Sequence, residues 1–165
     1  MPDPLFHRMT NDLGAYQRKQ GSMMDFGFEI VAISKQRKGY RVVTDTSGKL
    51  RVTFAHDRFF LFEEILIVEF ALYCFDWQCE YGRDPTASFY YASMDEEEEP
   101  LLAFTLQLDG LWTAESGWAE FTNPGISNEE LSKAVSDFLL NFESFTKSAF
   151  GFGMKSLASE LKRSL

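Results

Sequence analysis

The stretch Asp57 to Tyr81, DRFFLFEEILIVEFALYCFDWQCEY, limits the possible folds more than any other part of the chain. It is the longest apolar run, interrupted mainly by carboxylates. Read at 100° per residue, Glu69, Tyr73, Asp76 and Glu80 fall on one narrow stripe, and the remainder is mostly Phe, Leu, Ile, Val, Ala and Cys. An apolar arc that wide predicts one central helix, covered on most sides and showing only this stripe to water. Asp57 suits the N-cap, and Gly82 with Asp84-Pro85 suits the stop. A membrane span would need about 20 mostly uncharged residues. Glu63, Glu64, Glu69 and Asp76 interrupt the run, so no membrane partner is expected.

A chain of 165 residues is expected to form one domain, 1–165, with a substantial core. The sequence holds 17 Phe, more than turns and surfaces use, so most should be buried. Cys74 and Cys79 lie about 140° apart around the predicted helix, so no disulfide should join them. The opening MPDPLFHRMTNDL lacks the basic start and apolar run of a signal peptide. With two unpaired thiols, a cytoplasmic location is expected.

Ahead of the apolar run, Asp3-Pro4 and the spacing of Leu5, Met9 and Leu13 predict a short helix to about Lys19. Three strands are then expected, in FGFEIVAI, YRVVTDT and KLRVTFA, with Lys38-Gly39 and Ser47-Gly48 as turns. Their outward face would carry Arg41, Lys49 and Arg51, a modest basic patch. After the run come three more expected strands, in SFYYASM, PLLAFTLQL and LWTAESGWAEF. Asp109-Gly110 is a hairpin turn between the last two. Ser127 and Glu130 form a capping box, and Ile126 with Leu131 a hydrophobic staple, opening the last long helix. Phe150-Gly151-Phe152-Gly153 ends it, leaving a basic amphipathic tail, 151–165, that either docks on the acidic middle or frays. The expected architecture is α+β: an antiparallel sheet of about six strands packed against helices, in the order α-βββ-α-βββ-α.

Charge is unevenly distributed. Residues 1–58 hold ten Lys/Arg against six Asp/Glu, residues 59–146 two against eighteen, and residues 147–165 four against one. The middle of the chain is therefore strongly acidic, within a net charge of −9. Phosphate binding needs clustered cations, so direct nucleic-acid binding is not expected. A basic protein partner suits the block better.

Chemistry-bearing motifs are absent. His7 and His56 are far apart, and the cysteines diverge, so no metal site is expected. There is no Gly-x-Ser-x-Gly, no phosphate loop, and no pairing of His56 with a cysteine. No catalytic residue, cofactor or enzymatic activity is expected. Glu69 and Asp76 would suit acid–base work only if they lined a pocket. The richest stretch is Phe89 to Phe104, where Asp95, Glu96, Glu97, Glu98 and Glu99 follow Tyr90 and Tyr91. Five adjacent carboxylates oppose their own folding, and their simplest use is to meet cations. Together with Trp112 and Trp118, these residues form the expected partner-binding set.

From Phe89 onward the pieces have a recognisable order. An aromatic strand and a short acidic turn run Phe89-Tyr90-Tyr91-Ala92-Ser93-Met94-Asp95 through Pro100, and an apolar strand comes next. Gly110-Leu111-Trp112, Trp118-Ala119-Glu120-Phe121 and the helix from Ser127 to Phe145 follow. This half resembles small bacterial immunity proteins of contact-dependent inhibition and polymorphic toxin systems. The resemblance implies a cytoplasmic, non-enzymatic inhibitor, expected as a monomer, that binds and blocks a cognate toxin domain. Many such toxins are basic. A second resemblance, in element order and acidity rather than residue motifs, is to class I type III secretion chaperones. It implies a homodimer that holds an effector segment.

Overall fold

The computed structural model describes residues 24–164, with side chains to residue 162. The helix expected over Asp3 to Lys19 lies outside the described residues. The fold is α+β, with two antiparallel sheets, one of three strands and one of four.

The first sheet is β1 (Asp25–Ala32), β2 (Ser47–Thr53) and β3 (Phe59–Ile65), in that order. In β1, Phe26, Phe28 and Ile30 point inward and are buried, while Ala32 is exposed past a bulge. Two expectations fail in this region. YRVVTDT is not a strand: Tyr40–Thr44 forms a short helix, α1, entered through Gly39. Adjacent Val42 and Val43 are both buried there, which a strand with one wet face cannot do. Residues 57–65 are not helix. Ala55–Asp57 is a tight turn that reverses the chain, and Phe59–Ile65 pairs with β2 as β3. Phe60 and Phe62 face inward and Phe59 and Leu61 outward. A bulge opposite Gly48 to Leu50 inserts one extra residue in β3, so Glu63 and Glu64 both reach solvent. Asp57 is therefore not an N-cap; it lies in the turn with a positive φ.

The central helix, α2 (Ile67–Arg83), begins ten residues later than expected. The basic patch also disperses. Arg41 moves to α1, where it pairs with Asp45, Lys49 pairs with Glu63 at 3.5 Å, and Arg51 lies 4.0 Å over the Phe59 ring.

The second sheet is β4 (Phe89–Tyr91), β5 (Leu102–Leu106), β6 (Trp112–Glu115) and β7 (Asn123–Ile126). The β5–β6 hairpin turns at Asp109-Gly110, where the Asp109 carboxylate accepts from Leu111 N–H. The edge strand β7 is an addition to the expected set. It contains Pro124 and Gly125, which read as loop, and a bulge there keeps Asn123 and Ile126 paired with β6.

Helix α3 (Asn128–Phe150) starts on the capping box: Ser127 Oγ accepts from Glu130 N–H, and Glu130 Oε2 accepts from Ser127 N–H, each at 3.1 Å. It stops at Gly151, whose φ of 81° is left-handed. Helix α4 (Met154–Ser164) follows and buries Met154, Leu157 and Ala158.

Aromatic rings join these layers. Phe70 of α2 is fully buried and meets Phe26 of β1, Phe89 and Tyr91 of β4, and Phe138 of α3. Phe26 also meets Phe104 of β5, so the two sheets share one core.

Candidate functional site

Two features adjoin on one side of the molecule: the acidic turn between β4 and β5, and a cleft beside it.

The turn is tied down at several points. Ser93 Oγ accepts from Asp95 N–H, and Pro100 O accepts from Gly117 N–H at 2.8 Å. Two aromatic side chains bracket the carboxylates. Tyr90 OH donates to Glu99 Oε2 and Trp118 Nε1–H to Glu98 Oε2, each at 3.4 Å. Tyr90 is 51% exposed and Trp118 38%, with the Trp118 ring tilted against Phe62. Asp95, Glu97, Glu98 and Glu99 are exposed, and Glu96 is half-buried.

Two members of the expected partner-binding set do not belong to this surface. Tyr91 is 1% exposed because β4 alternates, which sends Phe89 and Tyr91 inward and Tyr90 outward. Trp112 is fully buried, its Nε1–H donating to Asn128 Oδ1 at 2.6 Å beside the start of α3. Neither offers a surface to a partner. Aromatic content marked these strands, but only the strand register tells which rings face out.

The cleft has a volume of about 840 Å³. Tyr40 and Val43 of α1 form one wall, and Ala158, Leu161 and Lys162 of α4 another. Glu69, Leu72, Tyr73 and Asp76 come from α2. The segment Ala92 to Met94, with Glu99, completes it.

The expected solvated stripe needs correction here. Glu69 is only 5% exposed, although Asp76 and Glu80 do reach solvent. Tyr91 OH donates to Glu69 Oε1 at 3.0 Å, and Met94 N–H to Oε2 at 3.4 Å. The stripe runs from the core outward, and its first three residues, Glu69, Tyr73 and Asp76, wall the cleft.

Tyrosine hydroxyls fix the rim. Tyr73 OH donates to Ala92 O at 3.1 Å, and Tyr40 OH to Met94 Sδ at 3.2 Å. Burial, and then the charges of Glu69, Glu99 and Asp76, raise the Tyr73 pKa above its ordinary value. The three carboxylates thus act together on one hydroxyl. Burial first and Glu69 second also raise Tyr91 well above the ordinary phenol range.

Lys162 is the cation at the cleft. Among the described residues, neither it nor Glu69, Asp76 or Glu99 enters an ion pair. Cys74, one turn along α2 from Phe70, is buried and does not line the cleft, and burial raises its thiol pKa well above the ordinary value.

Fold and site together define an α+β domain with an acidic, tyrosine-walled cleft and an acidic turn at its rim. Residues 24–147 match the family model described as a domain of unknown function (DUF7878), and the chain belongs to that family. The match ends before α4, so the family region supplies the carboxylates of the cleft but not its α4 wall. No curated protein and no solved structure matches the chain. No helix among the described residues is long and apolar enough to cross a membrane.

Proposed function

We propose that this chain is an immunity-type inhibitor, which binds a cationic toxin domain by protein–protein contact and neutralises it in the cytoplasm without chemistry of its own. The observation that carries this reading is the exposed turn Asp95 to Glu99, whose Glu98 and Glu99 are bracketed by the half-exposed rings of Trp118 and Tyr90. Exposed carboxylates, none of them in an ion pair among the described residues, steer a basic partner and set its register, and rings beside them supply apolar contact area. The buried Tyr91 and Trp112 drop out of the proposed surface, leaving Tyr90, Trp118 and the carboxylates.

The test uses cells that produce the toxin domain encoded beside this chain. Wild-type protein should restore growth. Glu96→Gln, Glu97→Gln and Glu98→Gln together should weaken the complex about tenfold at low salt and flatten its salt dependence. Full protection by the triple variant, with unchanged salt dependence, would remove the turn from the interface.

A second reading has one observation in its favour: Glu69 and Asp76 do line a cleft, as acid–base catalysis would require. We keep the non-enzymatic reading because the Tyr73 hydroxyl at the cleft holds its proton more tightly than usual, and the Cys74 thiol nearby is buried.

A further inference from the structure

We infer that the cleft between α1, α2, Ala92 to Met94 and α4 binds an organic cation carried on an aliphatic stem, an alkylguanidinium or alkylammonium group.

The space and its lining argue for this chemistry. About 840 Å³ is ample for a side-chain-sized ligand. Val43, Leu72, Ala158 and Leu161 give it an apolar surface for a stem. Glu69, Asp76 and Glu99 give it charge, and Tyr40 and Tyr73 give it rings, whose faces attract cations.

Among the described residues the charge is unmet. Glu69 is 95% removed from solvent by its 5% exposure, and its two hydrogen bonds come from neutral donors. A buried carboxylate without a counter-cation is unfavourable, and a ligand cation would offset that. After burial, all three carboxylates act on the Tyr73 hydroxyl, so they border one region of the cleft.

The spacing decides between kinds of cation. Among the described residues, no three Asp, Glu, His or Cys side chains stand close enough to hold one metal ion. The three carboxylate residues line one cleft without forming a metal-holding group among the described residues. A planar guanidinium with five spread N–H donors fits that arrangement better than a compact ion. Lys162, at the rim on α4, is then a competitor for the same carboxylates.

The inference does not depend on the docking role of the acidic turn, and either can fail alone. The experiment is a calorimetric titration of the full chain at low salt with n-butylguanidinium, with neutral n-butylurea, and with the peptide acetyl-Gly-Arg-Gly-amide. The guanidinium should bind at least about tenfold more tightly than the urea. Asp76→Asn with Glu99→Gln, both at exposed positions, should weaken it about fivefold. Lys162→Ala should tighten it about twofold. Glu96→Gln, Glu97→Gln and Glu98→Gln together, at positions that do not line the cleft, should weaken it less than the Asp76→Asn, Glu99→Gln pair does. Tighter binding of the peptide than of the free cation identifies a partner's arginine as the ligand, and the reverse identifies a small molecule. Equal binding of the urea, no binding of either cation, or no loss in the Asp76→Asn, Glu99→Gln variant overturns the site.

Discussion

Glu69 sits between Val68 and Phe70 in the first turn of α2, and its neighbours determine its state. Each oxygen has one donor, from Tyr91 OH and Met94 N–H. The bond from Tyr91 ties a buried phenol to a buried carboxylate, so ionising that phenol would set two negative charges together. Burial first, and the Glu69 charge second, raise Tyr91 and Tyr73 above their ordinary value of 10.0. A raised pKa means the fold holds the proton more tightly than the unfolded chain does. The stability this contributes is complete below about pH 10 and is lost as the pH rises beyond it. The expected outcome is alkaline unfolding that starts above about pH 10, with late tyrosine ionisation appearing in step with loss of far-ultraviolet dichroism. If all six tyrosines ionise together near pH 10 while the fold persists, the buried Tyr91–Glu69 link is wrong. Such a residue is hard to recognise in sequence, because a carboxylate inside an apolar run looks alike whether it meets water or a phenol 22 positions away.

At the scale of elements, Gly48 of β2 is packed closely against β1 and the start of the central helix α2. A Cβ on Gly48 would lie 2.7 Å from the Glu29 carbonyl oxygen and 3.2 Å from Ile67 Cβ. Neither obstacle is the end of a flexible side chain, so strand or helix must shift. Gly48→Ala should lower stability by about 1–3 kcal/mol, read from urea unfolding, and an unchanged midpoint would show that the junction is loose. This junction was read in sequence as a turn, Ser47-Gly48, because glycine there also suits a loop. The elements that were legible carry their signals locally. Ser127 and Glu130 cap α3 through bonds three residues apart, and Gly151 closes it. The illegible ones depend on distant partners. In β3 the outward Phe59 and Leu61 are as apolar as the inward Phe60 and Phe62, and the bulge at Glu63 and Glu64 breaks the alternation. Nothing short of its pairing with β2 separates that run from a helix. The same distinction holds for function. The acidic turn lies in one continuous stretch and was visible, whereas the cleft joins α1, α2 and α4 from positions about 40 to 162 and was not.

For the molecule as a whole, the question is whether two sheets that share no strand pairing unfold separately. The ring network argues that they do not. Phe70 meets β1 through Phe26, β4 through Phe89 and Tyr91, and α3 through Phe138. Phe62 and Trp118 add a second bridge, from β3 to the loop after β6, and Phe60 with Phe121 a third. Removing the Phe70 ring would empty the place where both sheets and both long helices meet. Phe70→Ala should therefore cost about 3–5 kcal/mol, a large share of a typical domain's stability of about 5–15 kcal/mol. Phe121→Ala, at a half-buried edge position, should cost less than half as much. If the core is shared, tryptophan emission, which reports Trp112 and Trp118 near the second sheet and Trp77 of α2 packed against it, must change at the same urea concentration as far-ultraviolet dichroism, in wild type and in both variants. Emission and dichroism separating in the wild type would mean that each sheet has its own core, and the Phe70 contacts would then be too weak to join them.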